Sequence, residues 1–475
     1  MFQAFLNIFK IPELRNKILF TLGMLAVFRM GHWIPLPGVD QTEMTRVFRE
    51  STEGALGSTL GTISMLSGSA FSHSTIFGLG VMPYISASII FQLLTAVNPR
   101  LKKLQEEGAT GRQKIQEWTR YVTIGLAIIQ GYGWLVYCNQ ERILYAEWVA
   151  QPLWWVAAIA ALTAGTMFLM WVGEQIDKHG IGNGVSMIIM AGILSQMPGA
   201  LQWVASNSPI ADTLFGRTLL GPPPPGFDPA LGYLAILMIA VGFVVVVGGS
   251  VLLTVAQRRI PIQQAKHTRG RKVFGGQRAF LPLRINHSGV MPVVFASSLM
   301  IFPGLVLNML STTAQGNGWA TASGFRWLSD QLQMGQFPYI VFETILIYFF
   351  SYFWITVQFN PEEMAKNLRD QGSFIPGLRP GPRTAEYLET VMERITFVGA
   401  AFLAIIAVIP MVVSNAMGIP FTVAQFLGGT GLLIVVSVVL DFIQRVEANL
   451  LMRNYAGFLS GEDGKGPRIQ SSRSM

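Results

Sequence analysis

Charge is scarce in this chain. Asp, Glu, Lys and Arg make up 13% of its 475 residues, about half the share usual in soluble domains, while 51% belong to the hydrophobic set. Cysteine is nearly missing: Cys138 is the single one, so neither an internal disulfide nor a cysteine metal cluster supports the fold. Catalytic signatures are lacking as well. There is no HExxH, GxSxG, P-loop or CxxC, and the five histidines (32, 73, 179, 267 and 287) fall in different segments. The opening MFQAFLNIFKIPELRNK is amphipathic and lacks the basic, apolar and cleavage regions of a secretory leader, so the first span is expected to stay. A soluble enzyme is excluded early.

What the chain does have is apolar length. Ten blocks approach the ~20 residues a helix needs to cross a bilayer: 18–34, 75–97, 121–137, 154–173, 184–204, 231–256, 286–310, 337–359, 395–413 and 423–440. An all-α polytopic membrane protein follows. The fifth block is expected to be interrupted at Pro198-Gly199, and the ninth helix to start near Thr384. Trp118, Trp148, Trp154, Trp171, Trp203 and Trp354 stand near block ends, where interfacial aromatics belong. The stretch GSTLGTISMLSGSAFSHS before the second block is too short and too polar to span. It feeds directly into an apolar run, TIFGLGVMPYISASIIFQLLTAV, that reads as one full helix. A broken half-helix at membrane depth needs protein or a water-filled cavity around it.

Orientation comes from the cations. With the N-terminus inside, 28 of the 34 Lys and Arg face the cytoplasm and five face outward, so both termini are expected to be cytoplasmic. One inner loop exceeds what orientation requires. Residues 257–284, QRRIPIQQAKHTRGRKVFGGQRAFLPLR, hold eight cations and no acid, and the alternation suggests a strand pair with a Gly-rich tip. It reads as a docking finger for a large acidic or RNA-rich partner. A second inner loop, 360–386, ends in IPGLRPGPR, whose prolines and glycines fix Arg379 and Arg383 at an exposed tip suited to a carboxylate or phosphate. The proline-rich outer stretch 198–229 reads as an extended spacer.

Ionisable groups within the spans are few. Arg29 and Glu343 lie toward the outer ends of spans one and eight, where snorkelling or a mutual pair is the simplest expectation. A secondary carrier of a small solute is the alternative reading, but it would place an ion-coupling acid, base or histidine near mid-membrane. An intramembrane enzyme would need a paired nucleophile and base. Val81 and Ile85, and likewise Val185 and Ile189, stand four apart on one helix face. Periodicity alone makes these ordinary packing positions.

Six longer motifs carry a resemblance. FRMGHWIPLPGVD (28–40), MLSGSAFSHSTIFGLGVMPYISASIIFQLL (65–94), GTMFLMWVGEQIDKHGIGNGVSMII (165–189), LPLRINHSGVMPVVFASSL (281–299), GSFIPGLRPGPRTAEYLE (372–389) and GGTGLLIVVSVVLDF (428–442) together resemble the bacterial SecY family. Its members are central subunits of the general protein-conducting channel. The resemblance implies two inverted five-helix halves around an hourglass pore, here 1–204 and 205–440, followed by a cytoplasmic tail, 441–475. It implies a pore ring of Val81, Ile85, Val185, Ile189, Val294 and Ile434, three of them valine where isoleucine is frequent. It implies a plug within 59–72 (Thr59, Leu60, Ile63, Met65, Leu66, Ser67, Gly68). A lateral gate would use Ser86, Ile89, Gln92, Ser298 and Phe302, and partner docking would use Arg259, Arg269, Arg271 and Arg379. No cofactor or metal is expected. The implied partners are SecE-type and SecG-type small subunits, the motor ATPase SecA, the ribosome, signal sequences and unfolded secretory chains. The implied setting is the lipid bilayer of the cell inner membrane.

Overall fold

The computed structural model describes residues 11–51, 74–209, 231–264, 267–269, 272–274, 278–287, 289–316, 322–332, 335–417, 419, 423–424 and 429–459. The first helices are α1 (Pro12–Gly31), α2 (Gln41–Ser51), α3 (Met82–Val97), α4 (Pro99–Glu106) and α5 (Ala109–Gln140). Next come α6 (Ala146–Val149), α7 (Pro152–His179), α8 (Gly184–Ser206) and α9 (Tyr233–Val255). Strands β1 (Gln257–Gln264), β2 (His267–Arg269), β3 (Lys272–Phe274) and β4 (Arg278–Arg284) interrupt the helices. Then follow α10 (Met291–Gly316), α11 (Ala322–Gln331), α12 (Phe337–Gln358), α13 (Pro361–Asp370), the short β5 (Ser373–Phe374), α14 (Pro382–Met417) and α15 (Thr430–Leu459). The ten expected spans coincide with α1, α3, α5, α7, α8, α9, α10, α12, α14 and α15.

Length and hydropathy alone qualify α5, α7, α8, α9, α12 and α14 as membrane-crossing; α3 and the first part of α10 are shorter apolar helices. The others take their place from packing. In the first group, α3 packs on α5, α5 on α7, α7 on α8, and α1 on both α7 and α8. In the second, α10 packs on α12, α12 on α14, α14 on α15, and α9 on both α14 and α15. Taken in order within each group of five, the same pairs touch: second with third, third with fourth, fourth with fifth, and first with fourth and fifth. Five crossings leave the chain on the opposite side, so the second group repeats the first upside down. The groups meet along α8 and α15, the fifth member of each.

Three boundaries depart from expectation. Regular helix in the second span begins only at Met82; residues 74–81 form tight turns, closed by Gly78 N–H to Thr75 O and Gly80 N–H to Phe77 O, both 2.8 Å. Pro83 sits in the first helical turn, where its missing donor costs nothing. Pro198 does not break α8, which runs on to Ser206; prolines are tolerated in spanning helices where neighbours re-satisfy the freed carbonyl. α14 starts at Pro382, close to the expected Thr384, and α15 continues well past the apolar block.

The α7–α8 turn shows why GEQIDKHGIGNG reads as it does. Asp177 Oδ1 accepts from the Gly184 N–H at 2.7 Å, and Asn183 caps α8 by accepting from the Ser186 N–H at 3.1 Å. Ile181 N–H reaches back to Thr21 Oγ1 on α1 at 3.2 Å. Gly184 lies so close to Gly173 that an added Cβ would fall on the Gly173 carbonyl. Gly184→Ala should therefore force the two helices apart and destabilise the first group by about 1–3 kcal/mol, the usual range for overpacking. A lowered melting temperature in detergent checks this; an unchanged one would show that the close approach carries no weight.

Candidate functional site

The centre of the molecule is an apolar cluster fed by both groups. Val81, Ile85, Ile189, Val294 and Ile434 are buried within it, and the half-buried Val185 packs against it. The six expected ring residues thus reach one cluster from four helices: α3, α8, α10 and α15. Val81 sits at the N-cap of α3, and its carbonyl accepts from the Ile85 N–H at 3.0 Å, so the two share a face even though the first precedes the helix. Val185 and Ile189 lie one turn apart on α8, directly after the glycine contact with α7. Side chains of this kind offer water no hydrogen bond.

At the end away from the basic loops, the turns of residues 74–81 are held by a polar clasp. Ser74 takes a left-handed backbone (φ 37°), which a residue with a Cβ adopts only when its surroundings impose it. Its carbonyl accepts from the Leu36 N–H at 3.0 Å, and its hydroxyl accepts from Trp134 Nε1–H at 3.2 Å. Ile76 N–H donates to Ile34 O at 3.1 Å. Trp154 is buried, in contrast to the interfacial position expected, because its Nε1–H donates to Pro37 O at 3.0 Å. The clasp therefore fixes the end of the chain that leaves residues 59–72. The expected plug residues Thr59, Leu60, Ile63, Met65, Leu66, Ser67 and Gly68 lie outside the described residues.

The expected gate residues divide between α3 and α10. Ser86 is buried with its hydroxyl lacking a partner, Ile89 packs against the central cluster, and Gln92 Nε2 donates to Ser88 Oγ at 3.0 Å. Ser298 is buried and its hydroxyl donates to the Val294 carbonyl at 2.7 Å. Phe302 is in α10, and its side chain is not described. α3 leans on α5 and α10 on α12.

At the basic end, two loops that read separately in the sequence form one sheet. β1 and β4 pair antiparallel from Gln257 opposite Arg284 to Gln263 opposite Arg278, and β2 and β3 continue the excursion, with Arg269 opposite Lys272. β5, from the second loop, adds to the free edge of β1 through Gln263 opposite Phe374. Ile260 and Leu283 plant the hairpin base in a cluster with Phe359, Leu368, Ile375 and Leu388. Arg259 is exposed beside this anchor; Arg271 and the Arg269 side chain lie outside the described residues. Arg379 is exposed on a tip between Gly377 and Gly381, at φ 89° and 127°. Thr384 Oγ1 donates to the Arg379 carbonyl at 3.0 Å, which stiffens the tip.

Two contacts escaped sequence reasoning. Arg120 on α5 grips Glu174 on α7 with two prongs, Nε to Oε1 at 2.9 Å and Nη2 to Oε2 at 2.7 Å. An acid inside the otherwise apolar GEQI helix was the available signal. Glu343 does not snorkel and Arg29 is exposed: Glu343 is 3% exposed, with Ser297 on α10 within 3.3 Å of its Oε1.

The SecY family model matches residues 75–443. "Protein translocase subunit SecY" of Streptomyces griseus is 40% identical, covering 97% of this chain and 100% of that protein. The protein of the same name from Escherichia coli K12 is 39% identical, with 96% of each covered. Among solved structures, "The structure of a protein conducting channel" overlays with a TM-score of 0.57 at 17% identity, covering 96% of this chain and 98% of that one. "Sec61 in the Canine ribosome-channel complex from the endoplasmic reticulum" overlays at 0.54, also at 17% identity, with 96% and 98% covered. The fold is shared.

The sheet and the helix ends stand or fall together through Ile260. Ile260→Asp should bury a charge among Phe359, Leu368 and Leu388 and release the hairpin base from the membrane-spanning body. Hydrogen exchange in β1 and β4 should then rise while α5 and α7 keep their protection; unchanged exchange in β1 would remove the anchoring role.

Proposed function

The chain belongs to the SecY family, and from that membership we propose that it is the pore-forming subunit of a protein translocase. It passes unfolded secretory chains across the membrane and releases apolar segments sideways into lipid. The observation that carries this reading is the collection of Val81, Ile85, Val185, Ile189, Val294 and Ile434 into one cluster where two inverted helix groups converge. A ring of aliphatic side chains dewets when empty and so resists ions. The same ring packs around any extended polypeptide, because apolar contact is not directional.

The remaining parts take roles around that neck. Residues 59–72, which lie outside the described residues, act as the plug. α3 and α10, facing α5 and α12, part as the lateral gate, exposing Ser86, Ile89, Gln92, Ser298 and Phe302 to an arriving signal sequence. An aliphatic centre favours a threading chain over an ion-coupled solute, which sets the carrier reading aside. SecY is a family of channel subunits, so energy comes from a partner: SecA or the translating ribosome, docked on Arg259, Arg269, Arg271 and Arg379. SecE-type and SecG-type subunits complete the assembly. The protein is multi-pass; its membrane is the cell inner membrane, with both termini cytoplasmic.

Replacing Val81, Ile85 and Ile189 by Ser should raise the resting potassium leak of reconstituted liposomes several-fold; leak equal to the parent would dismiss the seal. Arg379→Glu should cut export by about tenfold or more, comparable to losing one charge-assisted hydrogen bond, while the level of protein in the membrane is unchanged. Full export from that variant would remove Arg379 from the docking surface.

A further inference from the structure

The acid buried in α12 has a use that the channel reading does not supply. One stripe of α12 is buried: Tyr339, Glu343, Ile347, Phe350, Ser351 and Ile355. That stripe faces α10, where Phe295 meets Phe350 edge-on with centroids 5.8 Å apart. Two residues further along α10, Ser297 Oγ lies 3.3 Å from Glu343 Oε1 and 2.8 Å from the Val293 carbonyl. Glu343 Oε2 is enclosed and has no hydrogen-bond partner.

A serine hydroxyl has one proton to give. The shorter contact, to Val293, takes it. A carboxyl that carries its own proton completes the second contact by donating to Ser297 Oγ, whereas an ionised one would have to draw the Ser297 proton away from the nearer Val293 carbonyl. The surroundings favour the protonated form. α10 has no ionisable residue anywhere along Met291–Gly316, and neither does the 395–417 stretch of α14. Arg326 and Asp330 on α11 are exposed, and the neighbouring titratable group on α12 is Tyr339, buried one turn away. Among the described residues a carboxylate at this place would be a charge without a cation in a medium of low dielectric, which is strongly unfavourable.

We propose that Glu343 is a protonated latch holding α10 in its resting position against α12, and that loss of its proton releases α10. Val294 lies beside Val293, the carbonyl to which Ser297 is bound, so a shift of α10 carries that member of the central cluster with it. That consequence rests on the channel reading; the latch itself does not. The direction follows from which state accepts the charge. The closed contact holds only the neutral acid, whereas a parted contact that admits water holds either form. Holding is therefore complete at low pH and is lost as pH rises, and with one proton involved the parted fraction grows by at most about tenfold per pH unit.

Nitroxide labels on cysteines placed at Leu299 of α10 and Ile345 of α12, both outward-facing, report the separation in the full chain reconstituted with its small subunits. From about pH 6 to about pH 9 the distance distribution should gain a longer component, and Glu343→Gln should hold the short distance throughout. Ser297→Ala, which keeps the acid but removes its acceptor, should bring the longer component in at lower pH. A parent that shows no pH response, or a Glu343→Gln variant that responds as the parent does, would overturn the latch. Potassium leak measured on the same liposomes separates the two claims: a pH-dependent distance without a matching leak upholds the latch and counts against Val294 as part of the seal.

Discussion

A backbone N–H or C=O inside a bilayer must find its partner within the protein, because lipid offers none. That constraint explains why the chain crosses as helices, and why the described turns of residues 74–81 are buried at every position but the half-buried Ile76. Ser74 accepts from both Leu36 and Trp134, and its neighbours close their own turns. Irregular backbone at such a depth is expensive to keep. Here it places Val81 at the start of α3 and next to the central cluster, so the clasp and the candidate neck are two ends of one short segment.

The repeated packing has a second consequence. Each group of five is internally well connected, while the described contact between the groups runs chiefly along α8 and α15. A body built this way can part on the side opposite that seam without undoing either half. The two basic-end loops follow the same logic: both belong to the second group, and β5 ties them into one sheet rooted by Ile260 and Leu283. The sheet meets the ends of α12 and α14 in the same apolar cluster, and α12 in turn packs on α10.

Much of the architecture could be read in advance because the bilayer enforces it. Ten apolar blocks became ten helices, and the alternation in QRRIPIQQ became β1 with its expected partner strand. The misses share a cause. Apolar composition cannot distinguish helix from enclosed turn, so TIFGLGV read as helix although Gly78, Gly80 and Pro83 punctuate it. A tryptophan near a span end reads as interfacial until a carbonyl such as that of Pro37 claims its N–H. The pairing of β5 with β1 joins residues over a hundred positions apart and leaves no local trace. The six central aliphatics were selected by likeness to a family, since periodicity gives them no mark that ordinary packing positions lack.

The central claim is that a polypeptide in transit touches this aliphatic cluster. A photoreactive residue at Ile189, set against a control at Val244 on the exposed face of α9, tests it with a secretory chain stalled in mid-passage. The account predicts crosslinks from the stalled chain to position 189 and none to 244. Equal labelling at both positions, or none at 189 while the chain is demonstrably engaged, would contradict it.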